Sequence, residues 1–366
     1  PQVTELEVAR RSDSAGRMTP VHIRLTRHCP PDARTDLPPV LMIHGYSASG
    51  TTFAHSALDR GLMPYLCDEP FRRDVWILDM RSSCGMPTAS DNWSFEDMGC
   101  EDIPVAVEHV CQATGSGQVD VVAHCMGVAM LFMGLLGEEG VGQQSLGGHE
   151  VLRNKLWDRD GTVHNVTPEN VGPQGVAVSR IRRLVMSQVG PAVQLTPANI
   201  ARSYLMRYAK QFLQGAHYEF RPAREAGLAT ELLDRLLAAM PYPPGEFELE
   251  NPFWPPGKRL SWVGSRHRID ALFGRVFNLG NVSAEVLEHI DDFFGPFNVD
   301  TVSQVMHFAR HQRITDRHGF SRFVTPEHMS ERLTFPMLSL HSADNGLADV
   351  GTKDALARIL APSLGR

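Results

Sequence analysis

Short runs of β-branched and other apolar residues alternate along this chain with longer amphipathic stretches, and that alternation predicts its elements. Residues 21–26 alternate apolar and polar side chains and predict an edge strand, whereas 38–43 and 73–80 read as buried strands. Ser94 and Asp97 have the spacing of a capping box that opens a helix. Asp102-Ile-Pro104 restarts that helix, which closes near Thr114-Gly115. Residues 119–123 are β-branched and follow Gly115-Ser-Gly117, so they predict a buried strand, and the almost wholly apolar 126–136 predicts a helix enclosed on most sides. Further on, 181–188 and 335–341 read as strands. Stretches 198–213, 231–240, 282–294 and 301–311 read as amphipathic helices, and 354–360 as the last helix.

Strands alternating with helices point to a mostly parallel sheet covered on both faces, in the α/β class. Two segments break the rhythm. Residues 137–178 are rich in Gly among charged and amide side chains and read as a surface insertion, mobile or loosely folded. Residues 191–330 form a mostly helical block, with a Pro-rich connection at 241–257, set between two strands. The division expected is therefore a core first part, 1–190, a helical cap, 191–330, and a core last part, 331–366.

Composition narrows the function classes. The chain has 366 residues, 42% of them hydrophobic, enough for one large core with an insertion or for two domains. A formal charge of -7 without a dense Lys/Arg block speaks against a nucleic-acid partner. No apolar stretch approaches the roughly 18 residues of a membrane helix, and the first residues carry no signal-peptide pattern. Six scattered cysteines show no paired metal spacing and no disulfide framework. The expectation is a reduced, cytoplasmic setting, with no cofactor and no metal. His307 and His311 share one helix face, but no Glu follows His307 as the zinc-protease pattern requires.

The candidate chemistry sits where strand 119–123 meets helix 126–136. Strand, tight turn, nucleophile, helix is the layout of the nucleophile elbow, Gly-x-Ser-x-Gly, and its five positions here are Ala123-His124-Cys125-Met126-Gly127. Small residues two before and two after the nucleophile allow strand and helix to approach, and Ala123 and Gly127 meet that demand; the hydroxyl has become a thiol. Upstream, strand 38–43 runs into His44-Gly45-Tyr46, where hydrolases of this architecture place half of their oxyanion hole. The oxyanion amides are assigned to Tyr46 and Met126, with His44 and His124 as supporting residues. A thiol at a helix N-terminus has a reason for a lowered pKa, because the helix dipole favours its anion. In chain order an acid follows the nucleophile on a loop after a later strand, and Asp344 falls there. The base should be a His farther on, yet after His341 no histidine remains.

His44-Gly-Tyr-Ser-Ala-Ser49, Asp74-Val-Trp76, Trp93-Ser-Phe-Glu-Asp-Met98, Asp102-Ile-Pro104, Ala123-His-Cys-Met-Gly127, Thr301-Val-Ser-Gln-Val-Met-His-Phe308 and Leu347-Ala-Asp349 together resemble the acid lipase branch of the α/β-hydrolases. Coverage runs from about residue 35 to 355, with 137–178 matching poorly. The Cys elbow is closest to the α/β-hydrolase regions fused to flavin oxidoreductases of the cholesterol oxidase (glucose-methanol-choline) kind. The resemblance implies an α/β-hydrolase fold with an inserted helical cap, Cys125 as nucleophile, Tyr46 and Met126 as oxyanion donors, and Asp344 as acid. Asp344 lies five residues before Asp349, one more than the family's spacing. The family's His, in a Gly-x-x-His or Asn-His motif, has no matching position, which suggests a chain cut just before it. Function follows as an esterase or lipase-like hydrolase acting on a lipophilic carboxylic ester through an acyl-enzyme. Two other readings stay open: an accessory, non-catalytic domain covalently fused to a flavin oxidoreductase, and an acyltransferase. The aromatics of the inserted block (Phe212, Trp254, Phe273, Phe277, Phe293, Phe294, Phe308) first of all form its core, and some of them line an acyl or sterol pocket on this reading.

Overall fold

A computed structural model describes residues 1–12, 17–137, 155–157, 163–165, 178–209, 217, 218, 220, 265, 268–270, 273, 274, 276, 281–298, 301–343 and 345–364. Seven strands form one sheet: β1 (Gln2–Ser12), β2 (Met18–His28), β3 (Val40–Ile43), β4 (Val75–Asp79), β5 (Val119–His124), β6 (Ile181–Ser187) and β7 (Met337–Leu340). Their order is β1-β2-β4-β3-β5-β6-β7. β2 runs antiparallel to β1 and β4, and the other four pairings are parallel. The expected mostly parallel sheet is present, with one correction. Stretch 21–26 belongs to the longer β2, an interior strand, because β1 pairs along its outer side. In β1 a period of two is confined to residues 4–8, where Leu6 and Val8 pack on the core between the exposed Glu5 and Glu7.

Burial follows the sequence. β3 and β4 are buried throughout, while β5 buries Val119, Val121 and Ala123 on one face and half-buries Asp120, Val122 and His124 on the other. Behind β5, helix α5 (Met126–Leu136) buries every residue from Gly127 to Leu136, as a helix apolar all round must. The capping box forms: Asp97 accepts from the Ser94 amide at 2.7 Å and donates its own amide to Ser94 Oγ at 3.2 Å. It opens α3 (Phe95–Asp97), which passes through a wide turn at Met98–Asp102 into α4 (Ile103–Thr114). Gly115, at φ 68°, ends α4 in the left-handed conformation.

Within 191–330 the described helices are Pro197–Ala209, Ala284–Glu288, Ile290–Phe293 and Thr301–His311. Stretch 282–294 is thus two short helices, broken at His289. Pro326–Arg332 and Thr352–Leu364 flank β7. A small antiparallel ladder pairs Lys155–Trp157 with Val163–Asn165; the rest of the expected insertion between 138 and 177, the helix at 231–240 and the connection at 241–257 lie outside the described residues.

Sheet register positions the site. Ile43 pairs with Ala123 and His124 with Ser187, so the turns after β3, β5 and β6 emerge side by side at one edge. Leu340 pairs with Ser187, which adds the turn after β7.

Candidate active site

Cys125 sits at φ 52° and ψ -130°. A side chain held there costs on the order of 1–3 kcal/mol and persists only where its surroundings impose it. Two close approaches do so. A Cβ on Gly45 would lie 3.0 Å from the Cys125 Cβ, and one on Gly127 would collide with the His44 carbonyl oxygen. The Cys125 amide donates to Ser187 O at 2.8 Å, and its carbonyl accepts from Val128 at 2.9 Å as α5 begins. Cys125, the Gly45 turn and β6 are locked together by these close approaches and backbone bonds.

The thiol faces a cavity of about 380 Å³. Core residues Gly45, Tyr46, Ala48, Thr52 and Leu58 line one side, with Phe95, His124 and Met126 beside the thiol. Described residues within 189–203, 273–308 and 347–348 complete the wall, and among the expected aromatics Phe273, Phe293, Phe294 and Phe308 line it. Phe212, Trp254 and Phe277 lie outside the described residues. Sequence reasoning did not single out Asn199 and Arg202, buried polar residues that line the cavity from Pro197–Ala209. Their signal is the three-residue spacing that puts both on one face of an amphipathic helix.

Electrostatics correct one expectation. Burial pushes the Cys125 thiol up to about 11, and a hydrogen bond from the Met126 amide only partly opposes it. The helix N-terminus acts in the direction anticipated, but desolvation beneath an apolar roof outweighs it. Cys125 touches the cavity yet lies deep in the molecule, so its anion gains little from bulk water. Among the described residues no histidine hydrogen-bonds to the thiol.

Tyr46 is fixed by its side chain. The phenol oxygen accepts from the Asn298 amide at 2.9 Å and from Thr301 Oγ1 at 2.8 Å, and the ring meets Phe95 edge-on at 5.0 Å. His44 is fully buried: Nδ1 lies 2.6 Å from Gly45 O, and Nε2 lies 2.5 Å from Ser83 Oγ and 3.4 Å from the Met80 amide. The Met80 N–H needs an acceptor, so the proton sits on Nδ1, and burial lowers the His44 pKa to keep the ring neutral. Asp79 accepts from the Gly50 amide at 2.7 Å and from Arg24, which ties the same loop to the sheet. His124 Nδ1 lies 3.2 Å from Ser187 Oγ, and burial pushes this ring down to about 4. Neither imidazole is a cation that would favour a thiolate at neutral pH.

Asp344 lies outside the described residues. The residues that follow it are anchored: Asn345 caps the Leu347 and Ala348 amides at 2.8 and 3.1 Å and donates to Gln188 at 3.0 Å. Asp349 accepts from Gly351 and donates its amide to Gln194 O at 2.8 Å.

A mostly parallel sheet, a strained elbow at the end of the interior strand β5 and an apposed Gly turn define the α/β-hydrolase fold, and residues 38–135 match the family model for that fold. Among solved structures the chain is similar to a thermophilic esterase from Thermogutta terrifontis, at 14% identity over 98% of this chain and 87% of that one, with a TM-score of 0.46. It is also similar to a homoserine O-acetyltransferase from Staphylococcus aureus, at 12% identity over 98% and 85%, TM-score 0.44. A third, a hydrolase from Oleispira antarctica, shares 13% identity over 92% and 82%, TM-score 0.42. No curated protein matches the sequence.

Proposed function

We propose that the protein is a hydrolase of lipophilic carboxylic esters, of the acid lipase kind, with Cys125 as nucleophile. The observation that carries this is the Cys125 thiol held at φ 52° against the apolar cavity, with the Met126 amide donating to it. The Cys125 sulfur, as thiolate, attacks the ester carbonyl carbon. The carbonyl oxygen becomes an oxyanion held by the Met126 and Tyr46 amides. Collapse expels the alkoxide, which takes up the proton the thiol gave away, and leaves an acyl thioester that water cleaves to acid and free thiol. Asp344 would orient the base, and that base would come from outside the described residues. Segment 191–330 is the cap that roofs the cavity, between core parts 1–190 and 331–366. Cys29, Cys67, Cys111 and Cys125 are free thiols, which supports a reducing, cytoplasmic setting. No described helix is long and apolar enough to cross a membrane.

The high thiol pKa favours a second reading, a ligand-binding accessory domain, as would fit fusion to a flavin oxidoreductase. Acyl transfer is the first mechanism with an alcohol in place of water, and an apolar cavity favours it by excluding water. One experiment separates them. The chain is mixed with p-nitrophenyl esters of graded length, nitrophenol release is followed, and peptides are mapped by mass. Hydrolysis or transfer gives acyl-Cys125 and a burst that Cys125→Ala abolishes; an added alcohol diverts the acyl group only in transfer. Ester binding with no adduct selects the accessory domain. Undiminished turnover in Cys125→Ala removes the thiol from the mechanism.

A further inference from the structure

Three side chains from two distant stretches of the sequence converge at the rim of the cavity. His55 follows helix α1 (Thr51–Ala54) on the core side, and His289 and Asp292 belong to the helix pair that walls the cavity. One ligand atom from each lies within 4.8 Å of the other two. Asp292 Oδ2 is 3.3 Å from His55 Nε2 and 3.1 Å from His289 Nδ1. We propose that His55, His289 and Asp292 form a binding site for a divalent transition ion, Zn²⁺ foremost, that staples the core to the cavity wall.

Donor chemistry selects the ion. Two imidazoles and one carboxylate suit Zn²⁺ and its neighbours, not the all-oxygen shells of Ca²⁺ or Mg²⁺. Bonds of about 2.0–2.2 Å to a tetrahedral Zn²⁺ put adjacent ligand atoms roughly 3.4 Å apart. Two edges of the triangle already have nearly that length, and turning the half-exposed His289 ring shortens the third. Water at this open rim supplies the fourth ligand.

The surroundings say what occupancy would do. Thr51 Oγ1 donates to Asp292 O at 2.8 Å, and the His55 ring packs on Phe293 at 4.8 Å between centroids. Thr52, Ile290 and Phe293 line the cavity, so an ion here would hold two of its walls at a fixed separation. One contact must give way. The Ala57 amide donates to His55 Nδ1 at 3.1 Å, which places the ring proton on Nε2. An ion on Nε2 displaces that proton, Nδ1 becomes the protonated nitrogen, and the Ala57 N–H loses its acceptor.

The test uses the chain free of any affinity tag, with its thiols kept reduced, titrated with Zn²⁺ by calorimetry and with Co²⁺ by visible absorption. Expected are one ion per chain, the intense bands of four-coordinate Co²⁺, a higher unfolding midpoint, and faster hydrogen exchange at Ala57. Each of His55→Gln, His289→Gln and Asp292→Asn loses the binding and the midpoint shift while unfolding normally without metal. His289 and Asp292 are half exposed, so those two variants keep the fold. Absence of stoichiometric binding, binding that survives the triple variant, or an unchanged Ala57 amide would each overturn the site and leave a hydrogen-bonded His–Asp–His cluster. None of these readouts requires esterase activity, so the proposed hydrolysis can fail without touching this result.

Discussion

At the scale of single residues the environment, more than the residue type, sets the chemistry. A thiol raised to about 11 has on the order of one thiolate in ten thousand at pH 7. Alkylation of Cys125 by iodoacetamide should therefore climb about ten-fold per pH unit up to pH 11, and should trail the exposed Cys29 at neutral pH; site-resolved mass mapping reads both rates. A plateau near pH 7 would mean that a base outside the described residues reaches the sulfur. His124 gives a second residue-scale prediction. Its folded pKa of about 4 lies below the ordinary 6.5, so between these values the unfolded chain binds more protons than the folded one. Stability supplied by the neutral ring is complete above pH 6.5 and is lost as pH falls towards 4, by at most about 3 kcal/mol. Urea midpoints measured across that window should fall less steeply in His124→Gln. The place of Cys125 on a tight strand-to-helix turn could be read from Ala123-His-Cys-Met-Gly127, because close strand–helix approach demands small residues at two fixed offsets. Its pKa could not, because the cavity roof that desolvates it comes from residues over 60 positions away and beyond.

Elements whose periodicity agrees with their burial were legible, and those decided by partners were not. α5 and β3 to β6 read directly, since each buries what its sequence makes apolar. The Ser94–Asp97 box read correctly because capping is local. β1 was missed because its alternation is short, residues 4–8 only, and the rest of the strand is held by pairing with β2. The ionic tie between the turn after β4 and the start of α4 was likewise invisible. Arg81, 2% exposed, donates through Nε and Nη2 to Asp102 Oδ1 at 2.8 and 2.6 Å, and through its amide to Oδ2 at 3.0 Å. Asp102 is fully buried; burial raises its pKa, and Arg81 opposes that. Arg81→Met strands the carboxylate and should cost about 3–5 kcal/mol in urea unfolding. Arg81→Met with Asp102→Leu should recover much of that loss, because the fully buried carboxylate goes with its partner and only Glu101, a partly exposed second partner of Arg81 at 2.6 Å, is left without it. If the double variant is as unstable as the sum of the singles, the pair contributes through packing and not through charge.

For the molecule as a whole the cavity is the joint product of the turns after the sheet strands and of residues between 189 and 308, and neither part of the sequence specifies it alone. Core turns supply the thiol and its backbone surroundings; residues between 189 and 308 supply most of the apolar lining. A search for periodic helices finds the Thr301–His311 face that carries Val302, Val305 and Phe308, but not what it packs against. Filling the cavity from that helix tests whether the space is a ligand site. Val305 lines the cavity from a helix otherwise held by Gln304, which bonds Phe95 and Thr315, so Val305→Trp adds bulk without removing an anchor. With fluorescent fatty acids of graded length, the native chain should bind longer acyl groups more tightly, since each buried methylene contributes about 0.8 kcal/mol. In Val305→Trp that gain should stop at a shorter chain, with short-chain affinity kept. Affinity that ignores chain length in the native protein, or that falls equally for every length in the variant, would mean that the lipid sits elsewhere on the molecule.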